Sequence, residues 1–345
     1  MTQSIQVSAV TPALFWFTTW TLFSFLAHYY ARSTIQSNDS RSRQEDWVTV
    51  LLLTIVQLLV GGVVLKLFIS LLNRGFLATW NDSITSDSKS EPLSSTEHVE
   101  PCRISMYISH AVATLATNAS IAFVNTGSAF TIKAFEPIST AVLTSMLLGT
   151  KLQTHVVVSL PMVVTGALGF VWQPSLQSGA AYGLGMAFVS NILFGVRNIN
   201  LKLLQRDATT IKAKVELLQT ASFIAAAILV VVVVIVIFVT SMPTGFSLAT
   251  GAISALFHVT YTIISTCIIL KYTSVVGHAT FNLLKRILVA LVFYVIGNTI
   301  VSTSNWLMGA VMLLGLAIYV FPKMCPFKGV YDLQSSLLLS AMLNG

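Results

Sequence analysis

His278-Ala279-Thr280-Phe281-Asn282-Leu283-Leu284-Lys285-Arg286-Ile287-Leu288-Val289-Ala290-Leu291-Val292-Phe293-Tyr294-Val295-Ile296 is an apolar run with two adjacent cations near its middle. A membrane-crossing helix needs about 20 mostly apolar residues, and this run supplies them. A charge held at the centre of a bilayer costs on the order of 3 kcal/mol or more, so such residues usually face a hydrated cavity. Lys285 stands well inside the run and Ile287 to Ile296 continue it, which weakens a reading in which both heads merely snorkel from a helix end. A second apolar stretch, Phe130-Thr131-Ile132-Lys133-Ala134-Phe135-Glu136-Pro137, sets Lys133 in the same position. The three cations share one sign. Their natural partner is an anion from outside the protein, such as a phosphate.

Working outward, the composition is that of a chain built of such runs. Of its 345 residues, 55% are hydrophobic and only 9% are charged, against about 25% charged in a typical soluble domain. This predicts a polytopic protein with the lipid bilayer as partner. The net charge of +7 does not point to nucleic acid, because the basic residues are scattered over loops and helix ends with no basic, aromatic-interleaved face. Cys102, Cys267 and Cys325 are far apart and lack metal-ligand spacing. There is no HExxH and no P-loop, and Glu136 and Glu216 are the span-associated carboxylates. No metal, cofactor, catalytic residue or enzymatic activity is expected.

Ten spans are read, roughly at 10–28, 47–72, 104–124, 128–149, 153–172, 180–204, 215–240, 248–270, 278–297 and 304–321. The polar stretch 81–103, rich in Ser, Asp and Glu, is a long connection without the means to bury a core. Lys and Arg number ten in the even-numbered loops and the tail, against Arg32, Arg41 and Arg43 in the odd-numbered ones, which predicts both termini in the cytosol. Asn38-Asp39-Ser40 is a glycosylation sequon on the far side, close to the membrane. Met1 to Pro12 is neutral and carries no Arg- and Ser-rich presequence, so no plastid or mitochondrial leader is expected.

A faint repeat recurs at an offset near 150 residues. Gly127-Ser128-Ala129 lines up with Gly277-His278-Ala279, Gly149-Thr150 with Gly297-Asn298, and Gly166 with Gly315; Glu136 falls opposite Arg286. Two halves of five spans each must lie in opposite orientations, with a site near the midplane where they meet. The expected fold is therefore an all-α membrane protein of ten transmembrane helices in two inverted five-helix repeats. They cover 1–175 (with the 81–103 loop) and 176–322, followed by a cytosolic tail at 323–345.

The candidate site grows from the same residues. Lys133 and Glu136, spaced i, i+3, are able to touch on one helix face, and Pro137 frees a backbone carbonyl. Glu136 offsets one cation and leaves a surplus of about +2, which suits a phosphate monoester of about −1.5 to −2 charge. Arg286 offers a planar fork and Lys285 a point charge. In span three His110, Thr114 and Thr117 share a face; in span eight His258 and Tyr261 do. Asn191, Arg197 and Asn198 in span six suit hydrogen bonds between helices or a gating role, and Lys202 follows near the cytosolic end.

These strings, from His110 through Glu136-Pro137, from Ser190-Asn191 through Arg197-Asn198, and from Asn282 through Lys285-Arg286, resemble the triose-phosphate translocator family of the drug/metabolite transporter superfamily. The resemblance covers about Ile104 to Phe321. It implies obligatory exchange of inorganic phosphate for a phosphorylated metabolite (triose phosphate, phosphorylated sugar or three-carbon acid). It also implies phosphate binding by Lys133, Lys285 and Arg286, assisted by Thr117 and a tyrosine. Departures are Thr114 where a second histidine is usual, Tyr261 matching only with one residue of slippage from Thr262, and His28-Tyr29-Tyr30 where Asn-Lys often closes span one. Substrate contacts are thus expected from Lys133, Lys285, Arg286, Thr117, Tyr261 and Thr114, and supporting or gating roles from His110, Glu136, Arg197 and Asn198. The alternative is a nucleotide-sugar/nucleoside monophosphate antiporter. A Golgi or other endomembrane location is expected, with the plastid envelope as the alternative.

Overall fold

A computed structural model describes residues 2–35, 43–74, 99–124, 129, 132–149, 152–171, 180–207, 211–239, 246–270, 273–296 and 302–324. The Asn38 sequon, residues 81–98 of the polar loop, Gly127-Ser128, Gly297-Asn298, and Cys325 with the rest of the tail lie outside them. The described residues form helices and no strand: α1 Thr2–Ile35, α2 Arg43–Asn73, α3 Val99–Phe123, α4 Glu136–Leu148, α5 Thr154–Val171, α6 Ala180–Asp207, α7 Ile211–Val239, α8 Leu248–Ile263, α9 Val275–Ile296 and α10 Thr303–Met324. Three stretches are long and apolar enough to cross a membrane on length and composition: Trp47–Asn73, Lys212–Phe238 and Leu248–Ile269.

The most extensive helix contacts all run between the first five helices and the last five: α3 with α6, α5 with α10, α2 with α7, and α1 with α8. Exchanging each helix n with n+5 returns this same set of pairs, since α3–α6 becomes α8–α1 and the other two map onto themselves. The α5–α10 contact shows how sequence permits it. A Cβ on Gly166 would lie 2.4 Å from the Met312 backbone nitrogen, and one on Gly315 would lie 2.8 Å from that of Val163. Each helix therefore presses a bare glycine onto the other's backbone, and Val163, Ala167, Phe170 and Met312 fill the apolar core beside them.

Span four departs from expectation. It is not one helix over 128–149; α4 begins only at Glu136, after a turn at Ala134-Phe135. Pro137 lies in its first turn, where a missing N–H is harmless. In a continuous helix the Pro137 nitrogen would face the Lys133 carbonyl, and proline has no hydrogen to give it. The Lys133 carbonyl left over is taken by another helix, Arg286 Nη1 on α9 donating to it at 3.0 Å, while Asn191 Nδ2 on α6 adds a bond at 2.8 Å to Ile132 O, which already accepts from the Phe135 N–H. At its other end α4 closes on Gly149, whose φ of +62° is the left-handed conformation glycine adopts without strain.

Helix α8 runs from an N-cap at Ser247, whose side chain accepts from the Thr250 N–H, into a π-helical segment at Ile264–Ile269. Its loosened end is tied to α6. Gln205 Nε2 donates to Thr266 O at 3.1 Å, and Lys202 Nζ donates to Leu270 O at 2.5 Å and Thr273 O at 3.0 Å. A polar chain crosses the opposite half. Asn118 Nδ2 on α3 donates to Thr54 Oγ1 at 2.9 Å and Gln57 Oε1 at 2.8 Å, Gln57 Nε2 donates to Ser254 Oγ at 2.9 Å, and Ser254 Oγ donates to Ala27 O at 2.9 Å. Four helices are stitched by side chains that would each be costly to bury unpaired.

Candidate functional site

The polar residues of α1, α2, α3, α6, α8 and α9, with the broken start of α4, converge on one cavity of about 70 Å³. A buried water needs roughly 10–15 Å³ of such space, so the cavity has room for several waters or one compact oxyanion. Lys133, Lys285, Arg286, Thr117, Tyr261, Thr114, His110, Glu136, Arg197 and Asn198, all singled out in the sequence, line it.

Lys133 is only 1% exposed. Its Nζ donates to Thr117 Oγ1 at 2.9 Å and to Ser190 Oγ at 2.8 Å, and lies 5.8 Å from the Phe194 ring centre. It does not pair with Glu136. The turn between them takes the two residues off a common helix face, which corrects the i, i+3 expectation. Glu136 pairs instead with Arg286, Oε2 to Nη1 at 2.5 Å, the residue opposite it in the repeat register. Asn282 Nδ2 donates to both carboxylate oxygens at 2.9 Å. A carboxylate in the first turn of α4 is further favoured by the helix dipole.

Lys285 is held differently. Its Nζ lies 4.4 Å from the centre of Trp20 and 5.1 Å from that of Tyr261, and among the described residues it meets no carboxylate. The Tyr261 hydroxyl and His258 Nδ1 are 3.1 Å apart, and the His28 ring stacks on Tyr261 at 6.3 Å. Thr262, the strict-register alternative to Tyr261, also lines the cavity, with its hydroxyl bonded to His258 O at 2.7 Å. Thr114 likewise turns its hydroxyl back to His110 O at 2.8 Å.

Arg197 sits 5.5 Å from the Phe194 ring, so one aromatic ring serves two cations. Among the described residues Arg197 Nη2, His110 Nδ1 and Asn198 Oδ1 are buried without a hydrogen-bond partner, and all three residues border the cavity. Among the described residues, four Lys and Arg side chains and one carboxylate thus line the cavity. Cation–π contacts and neutral hydroxyls stabilise a buried ammonium but leave its charge uncancelled. The wall can receive an anion at several points.

Sequence reasoning missed Gln57, Asn118 and Trp20. Asn118 was within reach, since it extends the His110, Thr114 spacing by a further four residues. Gln57 and Trp20 carry no charge and no pattern that marks them in an apolar helix.

The profile described as the Triose-phosphate Transporter family matches residues 13–320. The "Triose phosphate/phosphate translocator, chloroplastic" of Pisum sativum is 28% identical over 235 residues, covering 64% of this chain and 56% of that protein. Its namesake in Zea mays is 27% identical over 234 residues, covering 62% and 53%. The chain thus aligns with little more than half the length of these relatives. A solved structure, described only as the crystal structure of a protein, shares the fold at a TM-score of 0.56 and 14% identity, over 88% of this chain and 97% of that one. With a match that reaches into every helix bordering the cavity, the chain belongs to the Triose-phosphate Transporter family.

Proposed function

We propose that the protein exchanges a phosphorylated metabolite (a triose phosphate, a phosphorylated sugar or a three-carbon acid) for inorganic phosphate across a membrane by alternating access. The observation that carries this reading is the excess of cations in one cavity, where among the described residues Lys133 and Lys285 have no carboxylate of their own. Lys133, Lys285 and the free edge of Arg286 receive the phosphate oxygens; Thr117, Tyr261 and Thr114 hydroxyls orient the rest; His110, Arg197 and Asn198 line the path. Closing an empty site around uncompensated charge is costly in a medium of low dielectric, and a bound phosphate removes that cost. Rearrangement is then easy when loaded and hard when empty, which makes exchange obligatory.

The matching architecture is ten spans in two inverted repeats, 1–175 and 176–322, with the tail 323–345 and both termini cytosolic. The n to n+5 symmetry of the helix pairs and the reciprocal glycines Gly166 and Gly315 support it. Such repeats form one interleaved body, since the largest contacts cross between them. The chloroplastic relatives favour a plastid envelope over the endomembrane location expected from the sequence.

The test is uptake of labelled phosphate into proteoliposomes with and without internal phosphate. Uptake is expected only with internal phosphate, and Lys133→Ala is expected to abolish it. Equal uptake into both vesicle types, or full activity in that variant, would overturn the reading. Competition by a nucleoside monophosphate but not by a triose phosphate would favour the nucleotide-sugar alternative.

A further inference from the structure

Arg286 is doubly committed through a single nitrogen. Nη1 reaches both the Glu136 carboxylate and the Lys133 carbonyl that Pro137 leaves without a helical donor. Glu136, 1% exposed, is in turn fixed by Asn282, one turn from Arg286 on α9, which donates to both carboxylate oxygens. No hydrogen bond to protein engages Nη2 or Nε of Arg286 among the described residues, and Arg286 borders the cavity. The guanidinium is thus clamped along one edge, leaving its other nitrogens for a bidentate partner. Among the described residues the clamp's carboxylate is also the one acidic group in a wall that carries four Lys and Arg side chains. A ligand site that must release what it binds gains nothing from maximal attraction, because turnover then stalls on departure.

We propose that Glu136 is a positioning residue that both aims the open edge of Arg286 at the substrate phosphate and, by its charge, limits how tightly that phosphate is held. This deepens the phosphate-exchange reading and rests on it. Two variants separate the two effects. Glu136→Gln keeps shape and removes charge, whereas Asn282→Ala keeps charge and removes the anchor. A carboxylate a few ångströms from a bound dianion changes its affinity by about tenfold even with the screening of bulk water.

The experiment is phosphate–phosphate exchange in proteoliposomes, resolved into KM and kcat, beside thermal stability of the purified full chain with inorganic phosphate. Glu136→Gln is expected to lower KM about tenfold and to lower kcat with it, because release slows. Asn282→Ala is expected to raise KM at least threefold, because Arg286 loses its aim. Glu136→Asp, which restores the charge, is expected to return KM toward the unaltered value. A Glu136→Gln protein with unchanged or raised KM, or an Asn282→Ala protein with unchanged KM, overturns the proposal. Should Glu136→Gln not be recovered folded, the Asn282→Ala result alone decides it. If the unaltered protein exchanges no phosphate, the functional reading itself has failed. If it exchanges but the variants do not separate as stated, only the role of Glu136 has.

Discussion

Replacing Lys285 by methionine should make the protein more stable and less able to hold phosphate. Lys285 is 5% exposed, and its ammonium lies against the rings of Trp20 and Tyr261 with no carboxylate partner among the described residues. Two cation–π contacts return about 0.5–2 kcal/mol each. Withdrawing the ammonium from water costs several kcal/mol, and replacing buried charges with well-packed apolar groups is often stabilising by about 1–4 kcal/mol. Methionine is unbranched, close in length, and suited to aromatic surroundings. The balance predicts that Lys285→Met gains about 1–3 kcal/mol without phosphate, or a few degrees in Tm. Phosphate itself should stabilise the unaltered protein by about 2.7 kcal/mol at a hundredfold excess over Kd. Deleting one charge-assisted hydrogen bond, worth about 1.5–3 kcal/mol, should weaken phosphate about 10- to 150-fold and remove most of that shift. Thermal unfolding of both proteins in detergent, each with and without phosphate, reads all four numbers. A Lys285→Met protein that melts lower than the parent without phosphate, or keeps the full phosphate shift, would refute the reasoning.

Two further outcomes follow from the packing. Gly166→Ala brings a methyl to 2.4 Å from the Met312 nitrogen and 2.7 Å from the Met308 carbonyl, backbone atoms that no rotamer moves aside. Overpacking of this kind costs about 1–3 kcal/mol or more, so a drop in Tm is expected; an unchanged Tm would contradict the close α5–α10 contact. In the full chain carrying Arg286→Met, the segment 132–135 should be cut by protease faster than in the unaltered protein; equal rates would contradict the role of Arg286 as the Lys133 carbonyl's partner.

How much was legible beforehand differs by residue. Lys133, Lys285 and Arg286 stood out because an isolated charge in an apolar run is expensive wherever the run goes. Glu136 and Arg286 could be set opposite each other from the repeat alone, and the glycine pair Gly166 and Gly315 from the same register. The break before α4 was underread. Pro137 was recognised as freeing a carbonyl, but a proline near a helix start and a proline that ends a turn look alike until the neighbours that absorb the freed groups are known. Those neighbours, Asn191 and Arg286, are 59 and 153 residues from the carbonyls they serve. The partner of Lys133 was misjudged for the same reason: local spacing offered Glu136, while the fold offered Thr117 and Ser190. Asn118 continues the His110, Thr114 spacing and was legible as a polar face, but Gln57 gains its meaning only from the amide it meets across the helix pair.

The short α4 bears on how the chain matures in the bilayer. In the ten-span arrangement proposed above, α4 belongs to the fourth crossing; its 13 residues extend about 20 Å, some 10 Å less than the hydrocarbon thickness, so part of that crossing is irregular backbone. Irregular backbone is tolerated at such depth only where protein or water satisfies it. Here the satisfying groups belong to α6 and α9, which leave the ribosome well after α4 does. On that reading the start of the fourth crossing stays incompletely bonded until synthesis has delivered α9.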